Sequence, residues 1–154
     1  MNGKVRKLNN IVLRLAAPND FEQISNLVHD VTREKYGHLF SEELMASNDL
    51  NSWKSSWVAV DNRVIVGIGL SNGDYIDDLW LRSGYRGRKI GSDLLSVLES
   101  QIEKSGHLQA RLRVVAENEA ARRFYRRHGW QELRTYPHEK YGFLMVDLQK
   151  ALDS

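Results

Sequence analysis

Hydrophobic and polar residues alternate along several stretches of this chain and recur at helical spacing along others. Alternation over 11–16 predicts a first strand. Shorter runs rich in branched and aromatic residues predict the remaining strands, at 57–60, 64–70, 75–81, 109–115, 130–136 and 141–148. Helical spacing predicts long helices that begin near residues 19, 88 and 118, and a short one near 41–44.

This order of elements predicts an α/β fold. We expect a mixed, mostly antiparallel central sheet of about seven strands, flanked by about four helices and containing crossover connections. The 154 residues suit one domain over residues 1–154. For the first helix, Asn19 is expected to be the capping residue, with Glu22 in the capping-box position.

The composition narrows the class of protein. Hydrophobic residues make up 42% of the chain and charged residues 27%, which is typical of a globular protein. The formal net charge of +2 argues against a nucleic-acid partner. Cysteine is absent, which excludes disulfides, thiolate metal sites and a cysteine nucleophile, and we expect no bound metal. With no secretory leader and no long apolar run, we expect a cytoplasmic protein that has no membrane partner.

A strand, a glycine-bearing loop and a helix follow one another over residues 79–91. Gly84, Gly87 and Gly91 let a backbone approach a ligand closely, and a helix N-terminus presents unpaired N–H groups. Arg86, Arg88 and Lys89 add positive charge. The pattern therefore predicts a phosphate site, although a basic loop that merely caps a helix fits the loop alone equally well.

Two motifs resemble those of the GNAT family of N-acetyltransferases. The residues from Arg86 to Gly91 resemble its acetyl-CoA-binding motif R/Q-x-x-G-x-G/A, except that Lys89 stands at the first motif glycine. We expect Lys89 to have an ordinary helical φ. The later motif, N-x-x-A-x-x-F-Y-x-x-x-G-F/W, is matched by Asn118, Ala121, Phe124, Tyr125, Gly129 and Trp130.

The resemblance implies a GNAT-like fold with a splayed strand pair at the acetyl-CoA site. The residues it implies for binding acetyl-CoA are Leu79, Leu81, Arg86, Gly87, Arg88, Lys89, Ile90, Gly91, Asn118, Ala121 and Tyr125. Most of the four arginines on the later helix are expected to be solvated at the surface. One or two of them are candidates to contact the CoA 3′-phosphate. Ribosomal-protein acetyltransferases of the family have Glu at the position of Arg113, which argues against that subclass.

Three residues are candidates for catalysis. A phenol of pKa about 10 can protonate a thiolate whose thiol has a pKa of about 8.5, and Tyr125 is the general acid that the resemblance implies. A core tyrosine is the alternative. Asp77 and Asp78 are adjacent in a strand, so only one can line a site as the base. The resemblance favours Asp77 as the base. The sequence is also compatible with two alternatives: both carboxylates are simply solvated, or the base acts through a water molecule.

Together these features predict an enzyme that moves an acetyl group from acetyl-CoA to a primary amine by direct transfer in a ternary complex. We expect the amine to belong to a small molecule rather than a protein, and a homodimer is compatible with the sequence. The alternative is a non-catalytic acyl-CoA-binding regulatory module on the same fold. A second rival is a nucleic-acid binder that uses the basic helix 118–128.

Overall fold

The computed structural model describes residues 6–8, 10–39 and 53–152. These residues form two compact units. The first unit holds the described residues up to Ser71 together with Asp78–Leu98, and the second holds Asn72–Asp77 together with those from Glu99 onward. Among the described residues, no helix is long and apolar enough to cross a membrane.

The first unit is built on antiparallel strands. In chain order they are β1 (Arg6–Leu8), β2 (Ile11–Leu15), β3 (Trp57–Asp61), β4 (Val64–Asn72) and β5 (Tyr75–Leu81), and neighbours in sequence are neighbours in the sheet. The pairs β1–β2, β2–β3 and β3–β4 are antiparallel. The sequence did not predict β1, because its three residues are too few to show a period.

Two helices of this unit pack on hydrophobic clusters that alternate along the strands. Helix α1 (Phe21–Tyr36) buries one apolar face with Val58 and Ile68, while α2 (Ile90–Lys104) packs its first turns with Leu13 and Ala59. Side chains of adjacent strand residues point to opposite faces, so Val58 and Ala59 serve different clusters. At Gly69 a Cβ would lie 2.9 Å from Leu98 Cδ1, so this glycine permits the close packing.

The second unit continues from the start of β5. Its further elements are β6 (Gln109–Val115), α3 (Glu119–Arg127), β7 (Gln131–Pro137) and β8 (Leu144–Ala151), and the strand order is β5-β6-β8-β7. The β5–β6 pair is parallel, with Tyr75 opposite Arg111, and the other pairs are antiparallel. The predicted mixed, mostly antiparallel α/β class is confirmed, with eight strands and three longer helices among the described residues. The helix predicted at 41–44 lies outside them.

The prediction that Asn19 caps α1 is wrong. Asn19 is exposed within a short 3₁₀ turn, Pro18–Asp20, and the residue before the first helical turn is Asp20. The Asp20 carboxylate accepts hydrogen bonds from the Ala17 N–H at 2.7 Å and from the Arg14 guanidinium at 2.7 and 3.0 Å. The turn is thus fixed by an arginine of β2, an interaction that a local capping pattern does not reveal.

Candidate active site

The loop predicted to bind phosphate connects β5 to α2 in the first unit. β5 ends at Leu81, a 3₁₀ turn covers Ser83–Tyr85, and α2 starts at Ile90. The residues 86–89 are exposed, whereas Ile90 is 1% exposed. The side chains of Leu79 and Leu81 are half-buried and pack on the cluster around Ile90.

Two residues of this loop have left-handed backbone conformations. Gly87 has a φ of 81° and Lys89 a φ of 66°. The expectation of an ordinary helical φ at Lys89 is therefore wrong, because the chain turns from extended backbone at Arg86 into the helix within a few residues. The Lys89 carbonyl accepts the Asp93 N–H at 3.0 Å and so belongs to the start of α2. Left-handed residues at such a turn help successive N–H groups converge on an anion.

Among the residues that the structure describes, no carboxylate forms an ion pair with the loop cations Arg86, Arg88 and Lys89. Arg86 donates a weak 3.4 Å hydrogen bond to the Leu81 carbonyl. On α1, the pKa of Lys35 is lowered, first by burial and then by the charge of Arg86. The neighbouring carboxylate of Glu34 offsets part of this effect by raising the pKa of Lys35. The arrangement fits a polyanionic ligand such as a pyrophosphate.

A tyrosine that the sequence analysis did not single out stands directly before Arg86. The Tyr85 hydroxyl donates a 2.6 Å hydrogen bond to Asp61 Oδ2, which is the first cause of the raised pKa of Tyr85. The Arg88 guanidinium lies 5.1 Å from the centre of the Tyr85 ring, within the range of a cation–π contact. No sequence signal joins Asp61 to a residue 24 positions away.

The two candidate bases on β5 differ in their surroundings. Asp77 is exposed, yet neighbouring groups remove enough water from its carboxyl group to raise its pKa. Asp78 accepts a hydrogen bond from Trp80 Nε1 at 2.9 Å, and the Trp80 ring meets Tyr36 of α1 edge to face at 6.1 Å. A raised pKa makes a carboxylate a better proton acceptor, which favours Asp77 as the base.

Tyr125 belongs to the second unit and is 7% exposed. Its ring meets Phe124 at 5.2 Å and Trp130 at 5.7 Å, both in edge-to-face geometry. These contacts fix the direction of the phenol. The rings come from motif positions, so the motif has a packing role that is separate from catalysis.

The start of α3 also explains two motif residues in folding terms. Asn118 is the N-cap, and its Oδ1 accepts the Ala121 N–H at 3.1 Å.

Of the four arginines of α3, Arg122 and Arg126 both pair with Glu132 at 2.9 Å. The two others, Arg123 and Arg127, are exposed, and the described residues provide no ion pair for either. They are the two arginines of α3 that remain available to a phosphate.

The structure thus groups the candidate residues by unit. The first unit brings together those on the second half of β5, the loop and the start of α2: Asp78, Leu79, Leu81, Arg86, Gly87, Arg88, Lys89, Ile90 and Gly91. The second unit holds Asp77, Asn118, Ala121 and Tyr125. The catalytic and binding roles of all these residues stay predictions.

Comparison with known proteins identifies the fold. The crystal structure of PaiA N-acetyltransferase from Thermoplasma acidophilum, in complex with coenzyme A, is 21% identical, with a TM-score of 0.70 over 92% of this chain and 98% of its own. Ard1 from Thermoplasma volcanium is 18% identical, with a TM-score of 0.75 over 94% and 99%. The ribosomal-protein-S18-alanine N-acetyltransferase from Escherichia coli is 19% identical, with a TM-score of 0.70 over 94% and 95%.

These structures share the mixed α/β class of fold with this chain. The chain also matches the family model of the Acetyltransferase (GNAT) domain over residues 22–152. It therefore belongs to the GNAT family of acetyltransferases. No curated protein sequence matches the chain.

Proposed function

We propose that this protein is an acetyl-CoA-dependent N-acetyltransferase that acts on a primary amine by direct transfer in a ternary complex. The observation that carries the proposal is the loop before α2, with left-handed Gly87 and Lys89 and three exposed cations. Family membership supplies the reaction class. The structurally similar PaiA N-acetyltransferase was solved with coenzyme A, which supports the choice of donor.

The loop and the start of α2 would hold the pyrophosphate of acetyl-CoA through backbone N–H groups, aided by Arg86, Arg88 and Lys89. The side chains of Leu79 and Leu81 pack against the cluster around Ile90, and in the proposal β5 contributes its backbone groups to the pantetheine and the thioester carbonyl. A donor aimed at the developing oxyanion stabilises the transition state more than the ground state. The splayed strand pair implied by the resemblance stays a prediction.

The chemistry needs one base and one acid. An alkylamine has a pKa of about 10.4, so it must lose a proton before its lone pair attacks the thioester carbon. In the proposal Asp77 receives that proton, directly or through water, and its raised pKa makes it a better acceptor than an ordinary aspartate. A C–N bond forms, and the carbonyl electrons move onto oxygen.

Collapse of this tetrahedral intermediate breaks the C–S bond and expels the thiolate of CoA. Tyr125 donates its phenolic proton to the sulfur, and the products are the acetylated amine and free CoA. The ring contacts with Phe124 and Trp130 would keep the hydroxyl in one direction during this step. No covalent acyl-enzyme is proposed, which agrees with the absence of cysteine from the chain.

The acceptor is expected to be a small molecule. The decisive experiment is a screen of chemically diverse amines with acetyl-CoA, in which release of free thiol is measured together with the acetylated product. Turnover on at least one amine supports an enzyme. Binding of CoA without turnover on any amine would instead support the alternative, a non-catalytic acyl-CoA-binding module.

The role of Tyr125 is tested with Tyr125→Phe on the best amine from that screen. Loss of a general acid should lower kcat by about 10²-fold, while CoA affinity changes little because the ring is retained. The loss should be largest at neutral pH, where protonation of the leaving thiolate matters most. Unchanged kcat across the pH range would remove Tyr125 from the mechanism.

A further inference from the structure

Tyr85 is held on three sides although it lies beside an exposed loop. Its ring packs on the hydrophobic cluster that contains Leu13, Ala59 and Ile90. Its hydroxyl donates to Asp61 at 2.6 Å, and the Arg88 guanidinium lies 5.1 Å from its ring centre. A surface tyrosine with only a solvation role does not need all three contacts.

The backbone at Asp61 is held by neighbouring elements. It is the last residue of β3 and pairs with Ile11 on one side and Val64 on the other. The turn that follows it is held from α1, where Gln23 Oε1 accepts the Ile65 N–H at 2.9 Å and Gln23 Nε2 donates to the Arg63 carbonyl at 3.3 Å. The backbone position of Asp61 is therefore set by the sheet and by α1.

Arg88 is the group that this arrangement orients. It lies between the two left-handed residues of the loop, and it is exposed. Within the part of the chain that the structure describes, no carboxylate forms an ion pair with it. A long arginine side chain loses rotamer freedom when it binds a ligand, and orienting it beforehand reduces that cost. The planar guanidinium also matches phosphate oxygens in geometry.

We infer that Asp61 and Tyr85 are positioning residues, which hold the Arg88 guanidinium ready for a phosphate group of acetyl-CoA. This inference rests on the proposed function, because it takes the loop as the acetyl-CoA site. Asp61 fixes the Tyr85 hydroxyl, the Tyr85 ring supports the guanidinium, and Arg88 alone contacts the ligand. Neither Asp61 nor Tyr85 is a catalytic residue.

The chain offers a matched control for these contacts. On the β7–β8 hairpin, the Tyr136 hydroxyl donates to Asp147 at 2.6 Å, and Arg134 lies 4.4 Å from the Tyr136 ring centre. Tyr136→Phe removes the same kind of hydrogen bond as Tyr85→Phe, and Arg134→Met removes the same kind of stacked guanidinium as Arg88→Met. The control variants thus report the general cost of losing such contacts.

The experiment measures the dissociation constants of CoA and of pantetheine, which lacks the phosphates, by calorimetry or NMR titration. We expect Tyr85→Phe and Asp61→Ala to weaken CoA binding by about three- to tenfold, and Arg88→Met by about tenfold or more. Pantetheine binding should not change in any of the three. Tyr136→Phe and Arg134→Met should leave both constants at the wild-type values.

A double variant separates positioning from a purely structural role. If Tyr85 acts through Arg88, then Tyr85→Phe should cost no further CoA affinity once Arg88→Met is present. Additive losses, or an equal loss for pantetheine, would overturn the inference, as would wild-type CoA affinity in both Tyr85→Phe and Asp61→Ala. If the wild-type protein does not bind CoA, the proposed function fails first, and the inference falls with it.

Discussion

Lys89 has a backbone conformation that a lysine rarely adopts. Its φ of 66° lies in the left-handed region, where the Cβ of an L-residue is crowded by its own backbone. The motif that this loop resembles has glycine here, and the structure shows that lysine takes a left-handed rather than a helical conformation. The motif therefore specifies a backbone shape at this position, which a side chain can adopt only with strain.

Lys89→Gly should accordingly stabilise the protein. Relief of the left-handed strain is worth about 1–2 kcal/mol, and the greater freedom of glycine in the unfolded chain offsets about 0.4–1 kcal/mol of it. We expect a net gain of about 0.5–1 kcal/mol in the free energy of unfolding, measured by urea denaturation. Lys89→Ala is the control, because alanine loses the same charge but keeps the strain. An equal gain in both variants would show that charge, not strain, is responsible.

Asp20 is a nearly buried carboxylate that depends on one arginine. It is 5% exposed, and the hydrogen bonds from Arg14 are the first cause of its lowered pKa. The pair is part-buried, because the Asp20 side chain is 7% exposed and the Arg14 side chain 33%, and its hydrogen bonds to a charged acceptor are costly to lose. The pair links β2 to the turn before α1, so its loss should be felt by the whole fold.

We expect Asp20→Asn to lower the free energy of unfolding by about 2–3 kcal/mol near pH 7. Because the folded pKa of Asp20 lies below the unfolded value, its contribution is present above that unfolded value and disappears as pH falls through the folded one. The difference between wild type and variant should therefore shrink below about pH 4. Asp30→Asn is the control, since the Asp30–Arg82 pair is exposed and should contribute less than about 1 kcal/mol.

Among the elements, strands β5 and β6 were predicted best. The bounds of β5 and β6 agree with the sequence prediction, because each run is flanked by turn residues. The helix starts were predicted less well: α2 begins two residues later than the pattern predicted, since Lys89 has not yet entered the helix. A hydrophobic pattern indicates which face of a helix or strand is buried. The first residue of a helix depends instead on contacts from other elements.

The β7–β8 hairpin provides a prediction at this scale. Glu139, in its connection, accepts hydrogen bonds from Arg113 of β6 at 3.0 and 3.1 Å, which lower the pKa of Glu139 to about 2. NMR titration of the Glu139 side chain should show this low midpoint in the wild type. In Arg113→Met the midpoint should return toward the ordinary value of about 4.3.

The control for that titration is Arg111→Met, two residues along β6. It removes the same charge, but Arg111 pairs with Asp74 at 2.9 Å rather than with Glu139. The Glu139 midpoint should then stay low. A wild-type midpoint near 4, or a similar rise in both variants, would mean that the Arg113 contact does not hold Glu139 in solution.

For the whole molecule, the order of elements and two spaced motifs were enough to predict the fold class and the family. They did not reveal the link from Asp61 through Tyr85 to Arg88, because a sheet turn and a loop 24 residues apart share no sequence pattern. Nor did they give a particular acceptor, since that depends on the shape of a pocket rather than on a motif. What a sequence motif predicts here is the backbone that binds the donor.

Binding of that donor should stabilise the whole protein. A ligand that binds only the folded state adds RT ln(1 + [L]/Kd) to the free energy of unfolding, or about 2.7 kcal/mol at 100 times its Kd. Thermal denaturation should therefore shift upward with increasing CoA. The exposed Arg123 and Arg127 of α3 also suit the phosphates of a nucleic acid. The same denaturation is therefore measured with a single-stranded oligonucleotide in place of CoA. The contrary outcome has two parts: the oligonucleotide raises the denaturation temperature even when CoA is added, and CoA alone does not raise it. That outcome would favour the nucleic-acid binder over the acetyltransferase.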